Sequence, residues 1–271
     1  MRGGVLAVSG AFGSGGEQVG AMVATRMEET LQLRLPVAVV IGGGGKTSLI
    51  YRLAAERSRA GRPTLVTTTA HMWPPTDEQR RACRMGPAVY AQGLTAATFG
   101  VERALAGYPT AFLGAGLDPR TGKVAGVDPD LPAYLAEAVP ALDEPGAVLV
   151  EADGSAGHPL KRYRSGEPAW PVPPFECIAV VGIDAWGRPL GPDICHRFGA
   201  ESASCFGEAE LMEYCRGFVE MARAVHARLT LVFNRFDAAS DRRGILTAAR
   251  RAARLAGVAQ VLVGSTLEER S

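Results

Sequence analysis

Long apolar runs are missing from this sequence: none approaches the roughly 20 residues that a helix needs to cross a bilayer. The first residues carry one arginine and a short apolar stretch broken by glycines, which does not make a secretion signal. Cysteine is scarce. Five cysteines, an odd number without a Cys-x-x-Cys pair, argue against a disulfide framework. Neither sign of charge is in excess, since 29 Lys and Arg face 28 Asp and Glu for a formal net charge of +1. That balance leaves no basic footprint for nucleic acid and no acidic tail. Repeats and low-complexity tracts are absent too. These gaps point to a cytoplasmic protein with no membrane segment and no nucleic-acid partner. The 271 residues suffice for one large α/β domain or two small ones.

What is present centres on Pro36–Leu53, PVAVVIGGGGKTSLIYRL. An apolar run from Pro36 to Ile41 feeds four glycines, then Lys46, Thr47 and Ser48, then an amphipathic segment. This reads as strand, loop and helix. Glycines Gly42, Gly43, Gly44 and Gly45 can turn their N–H groups toward one centre, because they tolerate positive φ and carry no side chain. The helix start adds further N–H donors and a partial positive charge. Lys46 is placed to reach the β/γ-phosphates of a nucleotide, and the Thr47 hydroxyl to bind Mg²⁺. The full pattern G-x-x-x-x-G-K-[ST] is not met, since Val40 stands at its first glycine. The loop is a shortened one, similar to that of Mur-ligase-type ATP enzymes. A glycine turn that serves chain geometry alone explains the glycines, but not the Lys-Thr pair in this context.

Upstream, residues 1–35 read as an extension: a strand at Val5–Ser9, a loop at Gly10–Gly16 and a helix over Glu17–Leu35. Its run VSGAFGSGGEQVG resembles the opening of cytidylate-kinase-like proteins but lacks a Lys-Ser/Thr pair. Residues 36–271 form the main domain. Thr47–Ala60 is helical, with Leu49, Ile50, Leu53 and Ala54 on one face, and ends at Gly61-Arg62-Pro63. Thr64–Thr69 is a β-branched strand. Its last hydroxyls, Thr67, Thr68 and Thr69, lie near the loop if the sheet is parallel, where they can meet Mg²⁺-bound water or a γ-phosphate. Plain β-propensity accounts for them equally well. Thr95–Gly107 and Leu131–Val139 read as helices, Thr110–Leu113 as a strand, and Gly114–Pro129 as a surface loop.

Ala147–Asp153, AVLVEAD, has the pattern of a buried parallel strand ending in acids. Glu151 and Asp153 are two residues apart, so both can leave one face of the strand. In phosphate-loop enzymes such acids bind Mg²⁺ or orient the nucleophile. Lys46, Glu151 and Asp153 are therefore the candidate catalytic residues, and Thr47, Glu151 and Asp153 the candidate Mg²⁺ ligands. The following segment Gly154–Trp170 carries His158, Lys161, Arg162, Arg164 and Glu167, and suits either an anionic substrate or a solvated loop. Cys177–Ile183 is a further strand ending at Asp184. Cys195, Cys205 and Cys215 lie ten apart, with His196 beside the first, in no known zinc spacing. Cys215 belongs to a helix over Glu208–Ala227, where a buried structural thiol is the ordinary case. The strand Leu229–Phe233 runs into Asn234-Arg235-Phe236-Asp237, close to the Asn-Lys-x-Asp base-reading motif of GTP-binding proteins, with Arg for Lys. An Asx turn after a strand gives the same pattern. A helix over Asp241–Leu255 and a strand at Gln260–Gly264 complete the chain, with Ser265-Thr266 where GTP-binding proteins place a base-contacting loop.

As a set, IGGGGKTS, TTTAH, EADGS with HPLK, the WP–VVGIDAWG stretch, CHRF and NRFD resemble the YqeC family, over about residues 36–266. Its members are accessory proteins for selenium-dependent molybdenum hydroxylases. The resemblance implies a three-layer α/β, P-loop NTPase-like domain with a mainly parallel sheet, which strands alternating with helices also suggest. It implies an NTPase or phosphoryl-transfer enzyme that supports maturation of the hydroxylase cofactor. Mg²⁺ with ATP or GTP would be held by Gly42–Thr47, Ser48, Thr68, Asn234 and Asp237. The partner would be the hydroxylase or its cofactor. Two further readings remain: a nucleotide-dependent binding module without significant turnover, and a Mur-like ligase or small-molecule kinase with a pocket lined by His158, Lys161 and Arg162.

Overall fold

The apolar run before the glycines is a strand buried on both faces, and the sheet is built outward from it. In a computed structural model of the chain, the described residues are 5–8, 22–24, 26–199 and 204–265. The elements run β1 (Val5–Val8), β2 (Met22–Ala24), α1 (Met27–Leu31), β3 (Val37–Gly42), α2 (Lys46–Arg59), β4 (Thr64–Thr68), β5 (His71–Met72) and α3 (Asp77–Ala82). Then come β6 (Val89–Tyr90), α4 (Leu94–Gly107), β7 (Thr110–Gly114), β8 (Gly116–Leu117), β9 (Val124–Ala125), α5 (Leu131–Ala138) and β10 (Val148–Glu151). The last are β11 (Leu160–Lys161), β12 (Glu176–Gly182), β13 (Cys195–His196), α6 (Glu208–Ala224), β14 (Arg228–Asn234), α7 (Arg242–Ala252) and β15 (Val258–Val263).

Ten strands form the main sheet in the order β2-β1-β15-β14-β12-β3-β10-β4-β7-β6. From β15 to β6 every pairing is parallel. Strand β3 lies between β10 and β12, so its carboxyl end meets theirs, the place where open α/β sheets hold ligands. Alternation along β3 feeds two cores. Val37, Val39 and Ile41 pack with Leu135 of α5, Phe218 of α6 and Ala248 of α7. Ala38 and Val40 pack on the other face with Leu31 of α1 and Leu49, Ile50 and Leu53 of α2. This is the three-layer α/β arrangement expected, with helices on both faces. Among the described residues no helix is long and apolar enough to cross a membrane.

Three local expectations are corrected. A helix over Glu17–Leu35 does not form as such: β2 occupies Met22–Ala24 and the helix is confined to Met27–Leu31. Gln32 at φ 46° ends it, and the residue before Pro36 is biased away from helix in any case. The expected loop at Gly10–Gly16 lies outside the described residues. Strand β1 pairs antiparallel with β15 and with β2, so the extension adds strands to the main sheet. Gly114–Pro129 is not only loop, because β8 and β9 pair with each other and with β5 in a three-stranded sheet. Val124 is fully buried there, and strands of two residues are too short to show a period in the sequence. Within the expected loop after the acids, β11 likewise pairs with β13.

Candidate functional site

Gly42, Gly44 and Gly45 take φ of 102°, 76° and 107°, values that only glycine adopts without strain. The loop is also tightly enclosed. A Cβ on Gly44 would lie 2.3 Å from the Gly182 Cα, and one on Gly43 would lie 2.6 Å from the Pro159 oxygen. Three loop amides are already spent. Gly42 N–H donates to Asp153 Oδ2 at 3.0 Å. Gly43 N–H donates to the Val180 carbonyl and Gly44 N–H to the His158 carbonyl, both at 2.9 Å. The cradle left for an anion is therefore the start of α2, from Gly45 to Ser48, where helical geometry leaves N–H groups without intrahelical acceptors.

Beside this helix start the predicted catalytic groups do converge. Lys46 Nζ lies 2.7 Å from the Gly42 carbonyl, 3.2 Å from Ser155 Oγ, 3.1 Å from Asp153 Oδ1 and 4.0 Å from Glu151 Oε1. Thr47 Oγ1 donates to Glu151 Oε2 at 2.8 Å. Lys161 Nζ stands 3.5 Å from Asp153 Oδ2 and 3.2 Å from Glu167 Oε2, and Arg197 pairs with Glu167 in turn. Three cations and three anions thus alternate from the glycine loop outward. Burial pushes the Glu151 carboxyl up; Lys46 and the Thr47 hydroxyl pull it back, and Asp153 adds to the rise. Burial and the neighbouring Asp153 likewise push the Tyr163 hydroxyl well up. Burial tends to raise Glu167 too, but Arg197 and Lys161 outweigh it and hold that carboxyl below its usual range.

These residues fit a magnesium nucleotide. Thr47 Oγ1 and Glu151 Oε2 are one hydrogen bond apart and would both face an ion seated at the helix start. Among the described residues no group of three or more His, Cys, Asp or Glu could hold a metal by itself. Two protein oxygens with phosphate and water completing the shell is the usual manner for Mg²⁺. Asp153 is less suited than expected, since both its oxygens already face ammonium groups and one accepts from the Gly42 amide.

The strand-end hydroxyls bond to backbone carbonyls. Thr67 Oγ1 donates to the Leu113 carbonyl at 2.9 Å, Thr68 Oγ1 to the Glu151 carbonyl at 2.7 Å, and Thr69 Oγ1 to the Ala169 carbonyl. The cause is burial: Thr67 and Thr68 are fully enclosed, and an enclosed hydroxyl needs a partner. Thr68 still positions the site, because it clamps the backbone of Glu151.

The Asn234–Asp237 element reaches the loop from the other side. Asn234 Nδ2 donates to the Gly44 carbonyl at 2.7 Å. Arg235, at φ 63°, pairs with Asp184 at 2.9 Å. Asp237 Oδ1 accepts from the Ser265 hydroxyl, whose oxygen in turn accepts from the Asp237 N–H at 3.1 Å. The element thus spans from the glycine loop to the Ser265 loop. Asp184, just beyond β12, is the acid that fixes this arginine.

The cysteines do not form a site. Cys195 and Cys215 are buried and Cys205 is exposed. Burial pushes the Cys215 thiol up to about 12 and raises Cys195 as well, which disfavours the thiolate at both. His158 and His196 lie with ring centres 5.7 Å apart, and burial followed by the charges of Arg197 and Lys161 lowers the pKa of His196. Sequence reasoning named Lys161 but missed its role as the second cation on Asp153. The adjacency of β11 and β13, which sets it there, leaves no local signal.

No solved structure matches the chain. It is 34% identical over 170 residues to "Uncharacterized protein YqeC" of Escherichia coli (strain K12), an alignment covering 62% of this chain. The chain spans about 59% of the length of that relative. A family model described as "YqeC protein" matches residues 37–199, which hold the glycine loop, both strand-end acids and Lys161, but not Asn234–Asp237. The chain therefore belongs to the YqeC protein family.

Proposed function

We propose that this protein binds a magnesium–nucleoside triphosphate at the start of α2 and hydrolyses it or transfers its phosphoryl group. The observation that carries the reading is the Thr47–Glu151 hydrogen bond with Lys46 beside it, at the end of a glycine loop. Lys46 would leave the Asp153 pair for the β/γ-phosphates, a compact point charge on a flexible stem. Asp153 would stay neutralised by Lys161. Thr47 and Glu151 would hold Mg²⁺, which supplies charge neutralisation on the phosphate oxygens. Burial raises the Glu151 carboxyl, and an arriving ion would favour its charged form. Asp237 is exposed, with Oδ1 taken by Ser265, and its carboxylate would accept from the N–H donors of guanine, which would favour GTP over ATP.

The family resemblance supports a role in maturing the cofactor of a selenium-dependent molybdenum hydroxylase, with that enzyme or its cofactor as partner, in the cytoplasm. A specific observation also favours a second reading, a nucleotide-dependent binding module. Asp153 is locked between two ammonium groups, and Glu151 is given over to Thr47 and Lys46, so neither acid is free to orient a water. Titration with fluorescent GTP and ATP, with and without Mg²⁺, tests the common premise. Phosphate release, measured alone and with a partner extract, separates the two readings. Absence of triphosphate binding in the folded protein removes both.

A further inference from the structure

Lys161 also faces a second space. A cavity of about 350 Å³ opens beside it, lined by Arg162, Tyr163, Phe198, Glu213 and Tyr214 among others, and floored by Phe218. That volume lies in the range of small-molecule sites. The rings brace one another: Tyr163 meets Phe218 edge-on at 6.2 Å, and Tyr214 lies 6.5 Å from Phe218. Tyr214 is held by its hydroxyl, 3.0 Å from Cys195 Sγ. An aromatic wall this fixed offers a slot for a flat ring.

Two charged side chains in the same lining are uncommitted. The Arg162 guanidinium lies 4.3 Å above the Phe198 ring. Among the described residues neither Arg162 nor Glu213 makes an ion pair. Burial and the Cys195 contact raise the Tyr214 hydroxyl, while Arg162 lowers its pKa and Glu213 raises it slightly. The other acid of the lining, Glu210, is used, since its Oε2 accepts from the Gly207 amide. An exposed guanidinium, braced on Phe198, and an exposed carboxylate thus flank the aromatic slot.

We propose that this cavity binds a small ring-bearing amino acid or an analogue with the same two charges. Its ring would lie among Tyr163, Phe198 and Tyr214, its carboxylate on Arg162 and its ammonium on Glu213. A planar guanidinium braced on a ring matches a carboxylate with two hydrogen bonds. A dianionic phosphate fits less well, because Glu213 repels it. The route to the nucleotide is short. The Lys161 ammonium is 4.8 Å from the Tyr163 ring centre and 3.5 Å from Asp153 Oδ2. Assigning this ligand as the co-substrate rests on the nucleotide reading above; its occupancy of the cavity does not.

Saturation-transfer NMR on the full chain without nucleotide tests the assignment. Phenylalanine and tryptophan should bind more tightly than phenylacetate or phenethylamine, each of which lacks one charge, and phenyl phosphate should bind weakest. Arg162→Gln and Glu213→Gln should each weaken binding of the amino acids by at least about tenfold, the scale of one charge-assisted hydrogen bond. Fluorescent-nucleotide affinity should stay at the parent level in both variants. Failure of all five ring compounds to bind overturns the proposal, as does amino-acid binding indifferent to both substitutions. Amino acids that bind as expected to a protein without nucleotide affinity would uphold the cavity and remove the phosphate-loop reading alone.

Discussion

Lys46 is enclosed at 3% exposure, and its ammonium lies between both strand-end acids and the helix start. Lys46→Ala should weaken triphosphate binding by at least about tenfold while leaving nucleoside binding alone, because a single charge-assisted contact carries that much. Fluorescence titration checks it, with a thermal melt to confirm the fold; equal triphosphate affinity would count against the site. Glu151 gives a prediction with a sign. Burial holds its carboxyl above the usual range, so the folded chain binds this proton more tightly than the unfolded chain does. The stability it contributes is complete below the ordinary carboxylate value of 4.5 and is lost as pH rises through the folded value. Glu151→Gln should therefore raise the melting temperature at neutral pH and flatten its fall over that window. Lys46 keeps Asp153 as counter-ion in the variant. Mg²⁺ enhancement of nucleotide binding should vanish in the variant and, in the parent, strengthen as pH rises. A parent and variant with matching melting curves across pH would show that Glu151 carries no strained charge.

Elements differ in how openly the sequence announces them. Strand β3, the glycines and α2 are contiguous, and their periods and turn residues act within a few positions of one another, so loop and helix are legible at once. The acids ending β10 are legible for the same reason, since four buried residues precede Glu151. What escapes is contact between distant segments. The Lys161–Asp153 pair, the Arg235–Asp184 pair and the spent amides of Gly43 and Gly44 all depend on which strands become neighbours. The short pieces β8, β9, β11 and β13 hold two residues each and have no period to read. The glycine loop allows a test at this scale. Gly44 and Gly61 have nearly the same φ, 76° and 71°, but a Cβ on Gly61 meets nothing within 4 Å, whereas one on Gly44 strikes the backbone of Gly182. Gly61→Ala should cost about 1–2 kcal/mol, the left-handed penalty alone. Gly44→Ala should cost clearly more and should also disturb nucleotide binding. Urea denaturation of both compares them, and equal costs would mean that the loop packs less tightly against β12 than described.

At the scale of the whole molecule, the strand that carries the loop finds neither of its neighbours nearby in the chain. Strand β3 pairs Val37 with Val148 and Val39 with Cys177, and the Gly42 amide meets an acid 111 residues away. The fold class is legible from alternating strands and helices, but this order across the sheet is not, because several orders satisfy the same alternation. The order has a consequence in time. Pairings between distant segments incur loop-closure entropy before any contact rewards it, so they form late and slowly. Helices such as α2 and α6 need only their own residues and can appear within microseconds. On dilution from denaturant, helical circular dichroism should therefore recover well before fluorescent triphosphate is captured, and capture should follow the slowest phase of refolding. Capture that keeps pace with helix formation would mean that the loop assembles without β10 and β12. During synthesis the same order means that a growing chain stopped before Gly182 has made its glycine loop and its helix but owns no finished binding site, and ligand present from the start can protect only molecules that have already closed the centre of the sheet.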